Sequence, residues 1–302
     1  MPSVMPTYIG RFAPSPSGPL HFGSLIAAVG SYLQAKSQHG QWLVRMEDID
    51  TPRMVAGMDN DILRTLEQYG LNWDSTVVYQ SQRLDRYQDI LQQLQQQQLV
   101  YCCQCSRKQI SELGGIYNNY CASRQLHSDK LAWRLCSKNV PQYFTDRIFG
   151  EQHISAELAN EDYIVKRRDG LFSYQLVVVI DDIDQGVTEV IRGADLLSMT
   201  PRQQALCHLL KAKPPSYGHL PLAVLEPGFK LSKQNYAAAI SQWPANSVLT
   251  QVLSFLGHTP PKELHLAPVT EQLLWASKNW RLEQIPAQLE INITEFRQAS
   301  AE

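Results

Sequence analysis

The stretch Arg11-Phe12-Ala13-Pro14-Ser15-Pro16-Ser17-Gly18-Pro19-Leu20-His21-Phe22-Gly23-Ser24 constrains the fold more than any other part of the chain. Tyr8 to Ala13 reads as a buried strand, and the prolines with Gly18 then force a tight turn. From Phe22 the apolar residues Leu25, Ile26, Val29, Tyr32 and Leu33 recur at helical spacing until His39-Gly40 ends the helix. A strand that turns directly into a helix start brings backbone N–H groups, with the His21 imidazole beside them, to the mouth of a sheet. That arrangement suits a nucleotide phosphate chain, and Gly18 and Gly23 permit close backbone approach. Trp42 to Met46 reads as the next strand, and a helical crossover makes the two strands parallel and right-handedly joined. The expectation is a nucleotide-binding α/β fold with its ligand beyond the carboxyl ends of the strands.

Met54, Met58, Ile62, Leu66 and Tyr69 mark a further helix closing at Gly70, and Ser81 reads as the cap of a helix from Gln82 to Gln98. Residues 100–150, rich in Cys, Tyr, Asn and Gly, break the pattern and read as an insertion. Asp169-Gly170 between Asp162–Arg168 and Leu171–Val179 is a hairpin signal. Leu176 to Ile180 runs apolar without alternation into Asp181-Asp182, as a central strand covered on both faces does. Short helices are expected around Leu249, Val252, Leu253 and Leu256, and from Leu273 to Trp280. The chain thus divides into 1–99 and 161–240 as two halves of a nucleotide-binding unit, 100–160 as the insertion, and 241–302 as a short helical segment.

With 302 residues, 44% hydrophobic and 19% charged, the composition is that of an ordinary soluble enzyme. No apolar run approaches the ~20 residues of a membrane span and no leader pattern opens the chain, so a cytoplasmic protein without a membrane partner is expected. The net charge of −2 does not announce a nucleic-acid partner, which would have to use a local basic face. Lys166, Arg167 and Arg168 beside the hairpin turn offer such a patch, or else a solvated strand edge. The six cysteines read as metal ligands rather than a disulfide framework. Cys103, Cys105 and Cys121, with Tyr117, supply three thiolates and a phenol within nineteen residues, suited to a structural tetrahedral zinc site. From spacing alone, Cys102 or His127 competes with Tyr117 for the fourth corner.

The Arg11–Ser24 stretch, matched later by Lys230-Leu231-Ser232-Lys233, resembles the HIGH and KMSKS signatures of class I aminoacyl-tRNA synthetases. Arg-Phe-Ala-Pro-Ser-Pro-Ser-Gly resembles the glutamyl branch in particular. The resemblance implies a Rossmann-like catalytic domain, Mg-ATP as substrate, His21, Gly23, Lys230 and Lys233 at ATP, and His21 and Lys233 as the catalytic pair. Ser24, Leu231 and Gln234 depart from the signatures. An acidic amino acid needs cations for its carboxylates and an anion or aromatic groups for its ammonium. Arg11 and Glu47, at the ends of the first two strands, should open onto the crevice, with a structural ion pair between them as the competing reading. By resemblance, Arg11 and Arg192 hold the carboxylates, Glu47 and Tyr174 complete the pocket, and Phe12, Ala13, Pro14 and Ser15 form its wall.

The Cys-x-Cys and Tyr-x-x-x-Cys pattern resembles the glutamyl-queuosine tRNA(Asp) synthetases, which makes Tyr117 the fourth ligand of one zinc ion. The short segment after Lys233, too small for an anticodon-reading helical domain, agrees with that subgroup. The resemblance then implies activation of L-glutamate without tRNA and its transfer to queuosine in the anticodon loop of tRNA(Asp), by a monomer. A compact glutamyl-tRNA synthetase charging the terminal ribose of tRNA(Glu) and a non-catalytic tRNA-binding relative are the competing readings.

Overall fold

The computed structural model describes residues 7–293 apart from 113, 118, 125, 127, 129, 138, 139, 227 and 231–239. The opening strand β1 (Ile9–Phe12) and helix α1 (Phe22–Ser37) form where the apolar pattern puts them, followed by β2 (Gln41–Met46). β1 and β2 are parallel, with Ile9 opposite Gln41 and Phe12 opposite Val44. The return from α1 to β2 requires Gly40, because a Cβ there would stand 2.5 Å from the Tyr8 carbonyl oxygen. Next come α2 (Met58–Gln68), β3 (Val78–Tyr79), parallel to β2, and α3 (Leu84–Gln96). Met54 precedes α2 rather than belonging to it. Ser81 does not cap α3; it lies in a short 3-10 turn and bonds Asp48 through both its N–H and its hydroxyl.

The middle of the chain builds β4 (Val100–Cys103), α4 (Arg107–Glu112), β5 (Ala132–Leu135), β6 (Tyr143–Asp146), β7 (Gly150–His153), α5 (Ala156–Asn160) and β8 (Tyr163–Lys166). β4, β5 and β8 form an antiparallel sheet, and β6 with β7 a hairpin. The Asp169-Gly170 turn is present, with Gly170 at φ +86 and a single bridge from Lys166 to Phe172. The chain then leaves the hairpin and enters α6 (Tyr174–Asp184).

The expected central strand at Leu176–Ile180 is therefore a helix. Leu176 through Asp182 are all buried, so the segment shows no amphipathic period, and a short apolar run of this kind does not distinguish a buried strand from a buried helix. It packs against α3, β8 and α7 (Thr200–Leu209) in a core with Tyr87, Leu91, Leu94, Val165 and Leu206.

The parallel sheet resumes with β9 (Glu189–Gly193) and β10 (Ser216–Leu220), which pair in register. The Thr188 N–H donates to the Ile9 carbonyl at 2.9 Å, so β9 lies beside β1 and the spatial order is β3-β2-β1-β9-β10. The order reverses between β1 and β9, the switch point at which open α/β sheets bind ligands. β11 (Leu222–Glu226) and β12 (Phe229–Lys230) form a hairpin, then α8 (Ala245–Phe255) and α9 (Val269–Asn279) fall at the two expected C-terminal helices, and β13 (Glu290–Asn292) adds to β11. α8 and α9 cover α1, burying Leu25, Val29, Leu33, Leu249, Leu253 and Trp280 in the main core. Among the described residues no helix is long and apolar enough to cross a membrane.

Candidate active site

A cleft of about 370 Å³ opens at the switch point. Phe12, Ala13, Pro14 and Ser15 from the end of β1 and His21 and Gly23 from the start of α1, all expected, meet there, joined by Gly193 at the end of β9 and Asp195 beyond it, which were not. Gly193 keeps that wall open, since a Cβ there would lie 2.7 Å from Asp195 Oδ1. His21 is the N-cap of α1 and is largely buried. Its Nδ1 accepts the Ser24 N–H at 3.3 Å, while Ser24 Oγ accepts the His21 N–H at 2.8 Å, a reciprocal capping box. A neutral ring that accepts through Nδ1 carries its hydrogen on Nε2. Ser24 thus orients the imidazole as a donor, a use of this position that the sequence comparison with the HIGH signature hides.

The expected pocket residues Arg11, Glu47, Tyr174 and Arg192 do not line this cleft, and the first two belong to a buried ionic network. Arg11 engages Asp182 through Nε and Nη2 at 3.2 and 3.3 Å. Arg45 donates to the same carboxylate at 2.8 Å and to Gln185 at 2.7 Å. Glu47 faces Arg45 rather than Arg11, at 3.7 Å, and its buried Oε1 makes no hydrogen bond. The structural ion pair between Arg11 and Glu47 is therefore not formed: each has another partner. Burial pushes the Glu47 carboxyl up to about 7, against the pull of Arg45 and Arg11. Asp182 stays below the ordinary carboxylate range: its burial alone would raise it, but Arg11 and Arg45 outweigh that. Asp181, one residue earlier on α6, accepts from Gln80, Arg83 and Tyr87.

Arg192, on β9, is different in kind. It is 5% exposed, and all five of its N–H donors are engaged: by His219 Nε2 at 3.0 Å, Gln203 Oε1 at 2.7 Å, Tyr174 Oη at 3.4 Å, Thr200 Oγ1 at 2.9 Å and the Leu196 carbonyl at 3.3 Å. Every one of these partners is uncharged or, for His219, held neutral. Burial is the first cause that lowers the His219 pKa, and the Arg192 cation adds to it against Asp146. A buried cation with neutral neighbours is an electrostatic demand for an anion. Tyr174 joins Arg192 to Glu47 and Arg11, all of which act on its hydroxyl.

Sequence reading missed Arg45, Asp182, Gln203 and His219. Asp182 carried a visible signal, the Asp-Asp pair ending an apolar run, but nothing in the sequence paired it with Arg11 and Arg45, whose contact depends on that run being a helix. His219 had none: it is brought opposite Arg192 only by the register of β9 with β10. Lys230 ends β12, opposite Val224, while Lys233, Leu231 and Gln234 lie outside the described residues.

The sulfurs of Cys103, Cys105 and Cys121 lie within 4.8 Å of one another, with Cys105 and Cys121 at 3.5 Å. A tetrahedral ion with Zn–S bonds of about 2.3 Å holds its sulfurs about 3.8 Å apart, so the three are placed to hold a metal. The Tyr117 hydroxyl accepts the Cys121 N–H at 2.8 Å and lies within bonding reach of Cys103. Cys102 is buried away from this group, its sulfur 3.9 Å from the Ser128 carbonyl, and His127 lies outside the described residues. Burial, Cys121 and Cys103 push the Cys105 thiol up to about 12, whereas at Cys103 the burial that would raise the thiol is outweighed by Arg134 and neighbouring hydrogen bonds, which hold it below its ordinary range. The three cations near the hairpin are tied internally: Lys166 to Gln88, Arg167 to Asp50 and Asp169, and Arg168 to the Gln104 carbonyl.

The family described as tRNA synthetases class I (E and Q), catalytic domain, matches residues 9–267. The glutamyl-Q tRNA(Asp) synthetase of Vibrio vulnificus strain YJ016 is 57% identical over 285 residues, 94% of this chain and 93% of its own. This chain belongs to the glutamyl-Q tRNA(Asp) synthetases, within the class I tRNA synthetases. The corresponding synthetase of Escherichia coli strain K12 is 50% identical over 293 residues, covering 97% of this chain and 95% of that one. The crystal structure of a glutamate tRNA ligase from Elizabethkingia meningosepticum superposes with a TM-score of 0.79 at 22% identity, over 95% of this chain and 67% of that one, a likeness of fold. Membership makes this chain a synthetase-type ligase and accounts for the cleft at the switch point.

Proposed function

We propose that this synthetase activates L-glutamate with Mg-ATP, without tRNA, and then transfers the glutamyl group to queuosine in the anticodon loop of tRNA(Asp). In the first step a glutamate carboxylate oxygen attacks the α-phosphorus and pyrophosphate leaves. In the second a queuosine hydroxyl attacks the activated carbonyl, loses its proton and expels AMP. No covalent enzyme nucleophile is needed; the work is positioning and charge stabilisation. His21, donating through Nε2, serves the α-phosphate at the start of α1, and Lys230 and Lys233 serve the outer phosphates, as their match to the KMSKS signature implies. Arg192 supplies the positive charge for the side-chain carboxylate, which takes over its longest contacts, those with the Tyr174 hydroxyl and the Leu196 carbonyl. Arg11, opposed by the Asp182 carboxylate that it shares with Arg45, keeps both Nη1 hydrogens and one Nη2 hydrogen as donors. The Glu47 carboxylate meets the ammonium, and Phe12 to Ser15 with Tyr174 complete the wall.

The observation that carries this reading is the buried Arg192 cation, whose partners are all neutral, beside a cleft headed by the capped His21. The test is glutamate-dependent pyrophosphate exchange without tRNA, followed by transfer of labelled glutamate to tRNA(Asp) bearing queuosine or plain guanosine. Exchange without tRNA and labelling of the queuosine form alone are expected. Strict dependence on tRNA(Glu) would instead establish the compact glutamyl-tRNA synthetase.

Glutamate binding should tighten as pH rises through about 7, because the ammonium needs the ionised Glu47. Below that pH, binding releases up to one proton, measurable by calorimetry in buffers of different ionisation enthalpy, and Glu47→Gln removes the release. The sign for stability is opposite. A carboxyl whose folded pKa is raised stabilises most below its unfolded value, and that contribution is lost as pH rises through about 7.

Cys103, Cys105, Cys121 and Tyr117 would hold one zinc ion, which supplies a structural cross-link to the segment between β4 and β5. Purified protein should contain close to one equivalent of zinc by elemental analysis, and Cys121→Ser should lose it. Chelation that leaves the melting temperature unchanged would remove the structural role.

A further inference from the structure

Behind Arg192 stands a buried chain that the reaction itself does not require. His219, fully buried on β10, accepts the Arg192 Nε–H through Nε2 at 3.0 Å, and its Nδ1 lies 2.6 Å from Asp146 Oδ2 at the end of β6. The other Asp146 oxygen accepts the backbone N–H groups of Ile148 and Phe149, both at 2.9 Å, and of His219 at 3.3 Å. The groups facing the imidazole are Asp146 from β6, Arg192 from β9 and Thr200 from α7, whose Oγ1 is 3.4 Å from Nε2. The Tyr217 ring stacks from its own strand and Phe144 stands edge-on. Asp195 acts on it from farther off.

The polarity of this chain is determined. Asp146 is acceptor-only and takes the His219 hydrogen on Nδ1, so Nε2 presents a lone pair to a guanidinium that has only donors. We propose that Asp146 and His219 are positioning residues for amino-acid selection. They lock Arg192 in place through a neutral acceptor, so that its charge stays unneutralised and is answered by the carboxylate of glutamate and not by the amide of glutamine. A carboxylate in the place of His219 would hold the arginine as firmly but cancel its charge. The Arg11–Asp182 pair in the same protein shows that outcome. The inference rests on the proposed role of Arg192 in glutamate binding.

Asp146→Asn tests it with a change of one atom type. The amide oxygen keeps the three backbone donors, so the amide NH2 faces Nδ1. His219 must then accept through Nδ1 and carry its hydrogen on Nε2, against the Arg192 Nε–H. Long-range ¹⁵N–¹H NMR of the imidazole should show the Nδ1–H form in the native protein and the Nε2–H form in Asp146→Asn. The KM for glutamate in pyrophosphate exchange should rise roughly ten- to hundredfold, the factor a buried donor left without its acceptor costs, with the KM for ATP unchanged and discrimination against glutamine reduced. His219→Gln, whose side-chain oxygen reaches the Nε2 position, should restore most of the glutamate affinity that His219→Phe loses. The proposal is overturned if the tautomer does not change, or if it changes while the KM for glutamate does not. Arg192→Gln separates the two levels. If that variant leaves glutamate affinity intact, the glutamate pocket itself is misplaced; if it weakens binding while Asp146→Asn and His219→Phe behave as the native protein, only the positioning chain fails.

Discussion

Replacing Arg192 by glutamine is expected to raise the glutamate concentration needed for half-maximal pyrophosphate exchange by roughly 30- to 4000-fold. That range corresponds to the about 2–5 kcal/mol lost when one partner of a buried charged pair is truncated. The magnitude follows from what surrounds the guanidinium. It is nearly inaccessible to water and its protein partners, His219, Gln203, Tyr174, Thr200 and the Leu196 carbonyl, offer no negative charge. On the proposed assignment a substrate carboxylate supplies the counterion, and glutamine gains far less from the same arginine. The preference for glutamate over glutamine should narrow in parallel, with affinity for ATP retained. A change below about fivefold, or about 1 kcal/mol, would place the side-chain carboxylate elsewhere. Arg11 should respond differently. Its Nε hydrogen and one Nη2 hydrogen are committed to Asp182, so its loss removes packing and its remaining donors rather than an unmatched charge.

Asp182→Ala is expected to destabilise the fold by about 3–5 kcal/mol, read as a shift in the urea unfolding midpoint. Asp182 is the shared anion of two arginines that are themselves almost wholly buried, and removing it leaves both cations in a medium that cannot solvate them. The neighbouring Asp184→Ala is the control. Asp184 also meets two arginines, Arg83 and Arg86, but the Arg86 side chain is 42% exposed, and screened pairs of this kind are worth about 0–1 kcal/mol. Equal losses in the two variants would show that burial does not set the strength of the network. The pH dependence has the sign of a depressed carboxylate. The stability contributed by Asp182 is present at neutral pH and is lost as pH falls below the ordinary aspartate range.

Much of the site was legible because its residues are neighbours in sequence. Phe12 to Ser15, His21 and Gly23 span one strand, one turn and one helix start, and local backbone chemistry alone brings them to one end of a sheet. The cysteine group is similarly local, and the structure separates Cys102 from the other three because successive strand residues point to opposite faces. The Leu176–Asp182 segment shows where this kind of reading stops. Its residues are buried on every side, so neither a period of two nor one of 3.6 is imprinted on it, and the structure alone assigns it to a helix. With that assignment Asp181 and Asp182 move from a strand end to the last turns of a buried helix, where they gather Arg11, Arg45, Arg83 and Tyr87.

The amino-acid sequence by itself determined the strand-turn-helix that presents His21, the parallel pairing of the first two strands, the four candidate metal ligands and the membership of a synthetase family. Each of these depends on residues that are close along the chain or on patterns that survive without coordinates. Only the tertiary structure decided which charges cancel. Arg11 and Arg192 carry the same guanidinium and the same expected role, yet one is opposed by an aspartate 171 residues away and the other by a neutral histidine on the adjacent strand. Charge compensation in a buried site is set by distances of a few ångströms between segments remote in sequence, and no local pattern records it.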